Sequence, residues 1–145
     1  MIEFVPMTKE ILRVNLSSII HETRNFEFID WGEENYLLDL PDKWKMSVAA
    51  IEDGVIAGFS INSNKGGIFY IHFFYVFEKY RSSGVGKELI ASCERFALDN
   101  GINKIQLRCH RDNSRALNFY FRNGFRIKEM DAAAAGQYIL EKNLV

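Results

Sequence analysis

The sequence predicts an α/β domain of the α+β kind: a mixed, mostly antiparallel sheet of about six to seven strands, flanked by about four helices. Three observations carry this reading. Asp53-Gly54 separates two apolar runs, and that dipeptide favours a two-residue hairpin. Ile68 to Phe77 is almost wholly apolar and aromatic and reads as a long strand. From Val85 the apolar residues fall at helical spacing, and a strand-like run follows at Lys104. Strand, helix and strand in that order form a crossover unit with parallel strands, so the sheet is mixed.

The elements follow in chain order. Thr8 caps a helix running to about Glu22, with Ile11, Leu12, Leu16, Ile19 and Ile20 on one face. Phe26 to Trp31 is aromatic and irregular, and a shorter helix covers Glu33 to Leu40, stopped by Pro41. Met46 to Ile51 and Val55 to Ile61 are the hairpin strands, and Asn62 to Gly67 is a polar loop. The helix after Val85 buries Leu89, Ile90, Cys93, Phe96 and Ala97 and ends at Asn100-Gly101. Lys104 to Cys109 is a strand. Asp112 or Asn113 caps a helix that buries Ala116, Leu117, Tyr120 and Phe121 and closes at Gly124. Phe125 to Met130 and Tyr138 to Asn143 complete the sheet, joined by a turn or bulge over Ala132 to Gly136.

Length and composition narrow the function. A chain of 145 residues with no repeat or linker fits one domain spanning 1–145. A net charge of −1 without a basic run gives no field for non-specific nucleic-acid binding. No apolar stretch approaches the ~20 residues of a membrane span, and no signal peptide is evident. Cys93 and Cys109 lack metal or redox spacing, and the three histidines form no metal motif. The expectation is two buried, reduced thiols, no metal and a cytoplasmic protein.

The chemistry concentrates at Arg81-Ser82-Ser83-Gly84-Val85-Gly86-Lys87, between strand and helix. A glycine-rich turn that opens a helix presents free N–H groups and the positive end of the helix dipole, a ready anion site. The absence of GxxxxGK[ST] excludes a P-loop. Alone, such a turn with Arg81 and Lys87 also fits ordinary solvated surface.

Its context is more specific. Residues Phe74 to Gly86 resemble the signature of the GCN5-related N-acetyltransferase superfamily: an apolar strand, a short turn, then Arg or Gln, two residues, Gly, one residue, Gly or Ala. Asn113 to Tyr120 and then Asn123-Gly124-Phe125 resemble its second signature. The resemblance is tight over 68–125 and weakest in the first 45 residues. It implies acetyl-CoA as cosubstrate and a parallel strand pair that splays apart to admit the pantetheine arm. The backbone from Ser82 to Lys87 would hold the pyrophosphate, with charge from Arg81 and Lys87. Phe74, Tyr75 and Val76 would pair with the pantetheine, and the Val76 N–H would polarise the thioester carbonyl. Tyr120 matches the family's general acid for the departing thiolate, although a core tyrosine would have the same spacing. Asn113 matches a helix-start asparagine near the cofactor arm, and it is an ordinary N-cap as well.

The acceptor side is less determined. Strand alternation puts His72 on the face of Phe74 and Val76, where it is a candidate base or a hydrogen-bonded buried histidine. A glutamate used by the family's ribosomal-protein enzymes is replaced by Arg108, which could meet a carboxylate or phosphate on the acceptor. His110 is expected beyond the strand, in solvent. Glu27, Asp30, Trp31, Glu33 and Glu34 offer either an amine-binding surface or an exposed helix start. The resemblance implies direct acetyl transfer to a primary amine, expected to be that of a small molecule, and it leaves room for a homodimer. A protein or peptide amine, or a CoA-binding module without catalysis, are the alternatives.

Overall fold

The computed structural model describes residues 1–144, and in it seven strands form one sheet. In chain order the elements are β1 (Ile2–Pro6), α1 (Lys9–Thr23), α2 (Glu33–Leu37), α3 (Lys43–Met46), β2 (Val48–Glu52), β3 (Val55–Lys65), β4 (Ile68–Val76), α4 (Val85–Asp99), β5 (Lys104–His110), α5 (Ser114–Arg122), β6 (Arg126–Met130) and β7 (Gln137–Asn143). The strand order is β1-β2-β3-β4-β5-β7-β6, and only β4 and β5 pair in parallel. The mixed, mostly antiparallel sheet is therefore as expected, with five α-helices in place of about four.

The sheet separates two apolar clusters. On one face Leu89, Ile90 and Cys93 of α4 pack with Leu117 and Tyr120 of α5 over Phe69, Ile71 and Leu107. On the other, Leu12 and Ile19 of α1 and Tyr36 of α2 pack over Phe59, Ile61 and Phe73. Burial of these side chains at ~25 cal/mol per Å² of apolar surface is the main source of stability.

Three stretches differ from the sequence reading. β1 was not foreseen: it is a five-residue edge strand held against β2 from Ile2↔Glu52 to Pro6↔Val48. The expected helix to Leu40 stops at Leu37, and a second short helix ends at Met46, so β2 begins at Val48. The cause is Lys43, which is fully buried and donates from Nζ to the carbonyl oxygens of Tyr36 at 2.6 Å and Leu38 at 2.5 Å. Those are carbonyls that the end of a helix leaves open. Replacing Lys43 with Met keeps the volume and strands them; a loss of about 1–3 kcal/mol is expected in urea unfolding. Finally, the supposed loop 62–65 is the end of β3, with the turn confined to Gly66-Gly67, both at positive φ. Asn62 and Ser63 tolerate burial in a strand because they are bonded: Asn62 Nδ2 donates to the Met46 carbonyl at 2.8 Å, and Ser63 Oγ lies 2.6 Å from His72 Nε2.

Two features of β4 shape the site. It pairs with β5 only from Phe69↔Ile105 to Ile71↔Leu107. Beyond that point β4 stays with β3 as far as Val76↔Gly58, and β5 stays with β7 as far as His110↔Gln137. The two parallel strands therefore part, each held by its outer neighbour. Second, Ile61 opposes Phe73 while Asn62 opposes Ile71, so β4 carries one extra residue, His72. The bulge resets the alternation. Phe69, Ile71, Phe74 and Val76 face the α4–α5 side, and Phe73 and Tyr75 face the α1 side. His72 is bonded to Ser63 and packs with its ring tilted 4.8 Å from Tyr70, away from Phe74 and Val76. The expected shared face is thus corrected: unbroken alternation does not survive a bulge.

Candidate active site

The strand-to-helix turn is built from backbone. After β4, Tyr80 N–H donates to Phe77 C=O at 2.8 Å and Arg81 N–H to Glu78 C=O at 3.2 Å, forming one turn of 3₁₀ helix. Ser82 and Gly84 then take positive φ, 66° and 86°. Gly84 is the N-cap of α4 and carries no side-chain cap, so the first N–H groups of α4 keep no partner from their own helix. Gly86 has a packing reason of its own. A Cβ there would meet the Phe119 ring at 3.0 and 3.3 Å, so glycine lets α4 and α5 close on each other.

The Val76 N–H can be placed from its neighbours. Phe77 N–H donates to the Ala57 carbonyl at 2.9 Å. Bonded residues alternate along an antiparallel pair, so Val76 N–H points away from β3, toward the gap left by β5.

That gap opens onto a cavity of about 630 Å³, within the usual range for small-molecule sites. Phe74, Tyr75 and Val76 line it from β4. Arg81, Ser82, Gly84, Gly86 and Lys87 line it from the turn and α4, and Asn113 and Tyr120 from α5. Two expected residues do not. Ser83 turns its hydroxyl to the Tyr80 carbonyl, and Val85 is buried with Ala50 and Ala57. Arg81 lines the cavity but is tied down: its Nε donates to the Val76 carbonyl at 2.9 Å and its guanidinium covers the Tyr75 ring at 5.1 Å. Asn113 caps α5, accepting from Ala116 N–H at 3.2 Å. Arg115 and Arg122, both on α5, also face the cavity and were missed. Their seven-residue spacing puts them on one helical face, a signal found only by applying periodicity to basic residues as well as apolar ones.

Tyr120 stands where the large cavity meets a recess of about 80 Å³ between the parted strands. It is 7% exposed, with the Phe74, Phe119 and Phe125 rings 6.0, 5.3 and 5.4 Å away. Burial, then the nearby Cys109 and Cys93, raises its phenol well above the ordinary range, so it is protonated at neutral pH. His72 lines the recess. Burial, with Lys65, Lys43 and Arg108 adding to it, pushes its imidazole from 6.5 down to about 4, so it is neutral above mildly acidic pH. Arg108 lines the recess too, its Nε 2.7 Å from Asp131 Oδ2.

His110 corrects the sequence reading. It is the last residue of β5, packs 5.5 Å from Phe28, accepts at Nδ1 from Asp112 N–H at 3.0 Å and lines the recess. In the variable segment the aromatic residues turn inward and the acids do not. Phe26 stacks 6.0 Å from Phe73 and Trp31 lies 5.2 Å from it, whereas Glu27, Asp30, Glu33 and Glu34 are exposed and line neither cavity.

Cys93 and Cys109 are free and buried, and burial pushes their thiols up to about 12 and about 11. Neither is a thiolate at neutral pH, so neither is an activated nucleophile. Among the described residues no helix is long and apolar enough to cross a membrane, and no three His, Cys, Asp or Glu side chains converge as metal ligands.

A splayed parallel pair, a backbone donor in the gap and a glycine turn at a helix start together define a site for a long, anion-bearing ligand. Comparison with known proteins specifies the class. A sequence profile of the acetyltransferase (GNAT) family matches residues 9–125, and the chain belongs to that family. It is 30% identical over 98 residues to spermidine N(1)-acetyltransferase of Thermoplasma acidophilum; that match spans 66% of this chain and 57% of the relative. The fold is shared with Ard1 from Thermoplasma volcanium (TM-score 0.83, 19% identity, 99% and 98% of the two chains). It is shared also with the PaiA N-acetyltransferase of T. acidophilum in complex with coenzyme A (TM-score 0.74, 21% identity, 99% of both chains).

Proposed function

We propose that the protein, acting as one domain over 1–145, is an acetyl-CoA-dependent N-acetyltransferase that passes the acetyl group directly to a primary amine of a small molecule. The observation that carries this is the convergence of the Val76 N–H, the Gly84 turn and Tyr120 on one cavity at the strand splay. The small recess beyond Tyr120 supports a small acceptor, and the two buried thiols support a cytoplasmic setting.

The fit to acetyl-CoA is chemical as well as spatial. The pyrophosphate would lie on the unpartnered N–H groups of α4, in a cavity that also receives Lys87, Arg115 and Arg122. The thioester carbonyl would sit against the Val76 N–H. The amine lone pair attacks the carbonyl carbon from the recess, the C–N bond forms, and Val76 N–H stabilises the oxyanion, a contribution of ~3 kcal/mol. As the intermediate collapses the C–S bond breaks, and the sulfur takes the Tyr120 proton. The proton lost by the amine leaves through the recess to water. His72, being neutral, receives it in passing rather than holding it. The Tyr120 phenolate regains a proton from water before the next turnover.

Calorimetry with acetyl-CoA, followed by thiol release against a panel of amines, tests the reading. Binding with amine-dependent release is expected. Absence of binding removes the reading, and binding without release reduces the protein to a CoA-binding module. The pH dependence carries a further expectation. Once rates are divided by the fraction of unprotonated amine, they should stay level down to about pH 5 and fall only as His72 protonates near its lowered value of about 4. A fall centred at the ordinary imidazole value of 6.5 would show that His72 is not held neutral.

A further inference from the structure

The recess between β4 and β5 has a one-sided charge. Its lining includes Arg108, His72 and His110 and no Asp or Glu side chain. Arg108 is held in place: Asp131 engages its Nε at 2.7 Å, yet Asp131 does not line the recess. A guanidinium has five donors, so a carboxylate on one edge fixes its orientation and leaves it able to fork another anion. Two lysines stand behind Arg108, while His72 is a neutral imidazole. Lys65 Nζ lies 4.4 Å from the Tyr70 ring centroid, and the Tyr70 ring packs at a tilt against His72. Lys43 is buried beneath α2, held by backbone carbonyls with no carboxylate bonded to its Nζ. The acids that would welcome a polycation face solvent on the 26–36 segment. The rest of the recess wall is largely apolar, with Phe28, Ile29 and Leu107, and its polar members Asn113, Tyr120 and Gln137 are uncharged.

We propose that the acceptor is an amine that carries its own carboxylate or phosphate on a small apolar body, and that Arg108 binds that anionic group. This rests on the acetyltransferase reading and narrows it. It also sets this chain apart from a polyamine enzyme, because a second or third ammonium would have to lie beside Arg108 in a recess whose own lining holds no Asp or Glu, the nearby Asp131 being already engaged by Arg108.

The test uses five amines with the full-length protein: L-leucine and L-leucinamide, phosphoethanolamine and ethanolamine, and spermidine. Rates are referred to the unprotonated amine, and acetyl-CoA affinity is measured separately by calorimetry. At least one anionic amine is expected to exceed its uncharged partner, and spermidine, by about tenfold or more in kcat/KM. The leucine and phosphate arms tell a carboxylate site from a phosphate site. Arg108→Gln should collapse that ratio, and Arg108→Lys, which keeps the charge without the fork, should restore part of it. Equal rates within both pairs, preference for spermidine, no turnover of either anionic amine, or a ratio that survives Arg108→Gln would each overturn the proposal while leaving acetyl-CoA binding intact. Loss of acetyl-CoA binding by the unaltered protein would instead remove the transferase reading, and this proposal with it.

Discussion

Tyr120→Phe is expected to lower kcat by about 10²-fold or more with little change in acetyl-CoA affinity. The phenylalanine ring keeps the packing against Phe74, Phe119 and Phe125 that buries residue 120, so the fold and the cavity wall persist. What is lost is the proton that the departing sulfur needs. The buried phenol stays protonated across neutral pH, so the wild-type rate should show no limb from Tyr120 ionisation below the ordinary phenol value of 10.0. Single-turnover measurement of thiol release, with calorimetry as the affinity control, reads both quantities. An unchanged kcat would remove the acid role and leave Tyr120 as a core aromatic.

Val76→Pro should have the second large effect, because only an imino acid removes a backbone donor. The Val76 N–H takes no part in the β3 ladder, so proline deletes the proposed oxyanion contact without breaking a sheet bond. A fall in kcat of about 10²–10³-fold is expected. The control is Val76→Ala, which keeps the N–H and loses only side-chain packing against the α4–α5 cluster and the Ala50, Ala57 and Val85 cluster. If Ala and Pro lower kcat equally, the effect belongs to packing, and the N–H has no catalytic part.

Much of this site was legible because its signals are local. The Asp53-Gly54 hairpin, the Ile68–Val76 strand and the Gly84 turn depend on residues within a few positions of one another. What escaped depends on partners far along the chain. β1 is short and defined by β2. Lys43 is buried because two open carbonyls lie seven and five residues before it in sequence, which its own neighbours do not signal. Asn62 and Ser63 looked like loop residues until Met46 and His72 supplied their hydrogen bonds. The bulge at His72 arises from pairing between β3 and β4, so no reading of β4 alone could show which face the imidazole takes. Likewise Arg108 gave no hint of Asp131, which lies beyond β6, and His110 none of Phe28.

The central claim is that a thioester carbonyl meets the Val76 N–H in the gap between β4 and β5. Amide NMR of the ¹⁵N-labelled protein tests it most directly, by titration with acetyl-CoA and, in parallel, with CoA. Both ligands carry the pyrophosphate, so the amides of Gly84 to Lys87 should respond alike to each. Only acetyl-CoA carries the carbonyl, so the Val76 amide should move further, in the direction of a stronger hydrogen bond, with acetyl-CoA than with CoA. A Val76 amide indifferent to the acetyl group, while the turn responds to both ligands, would contradict the account.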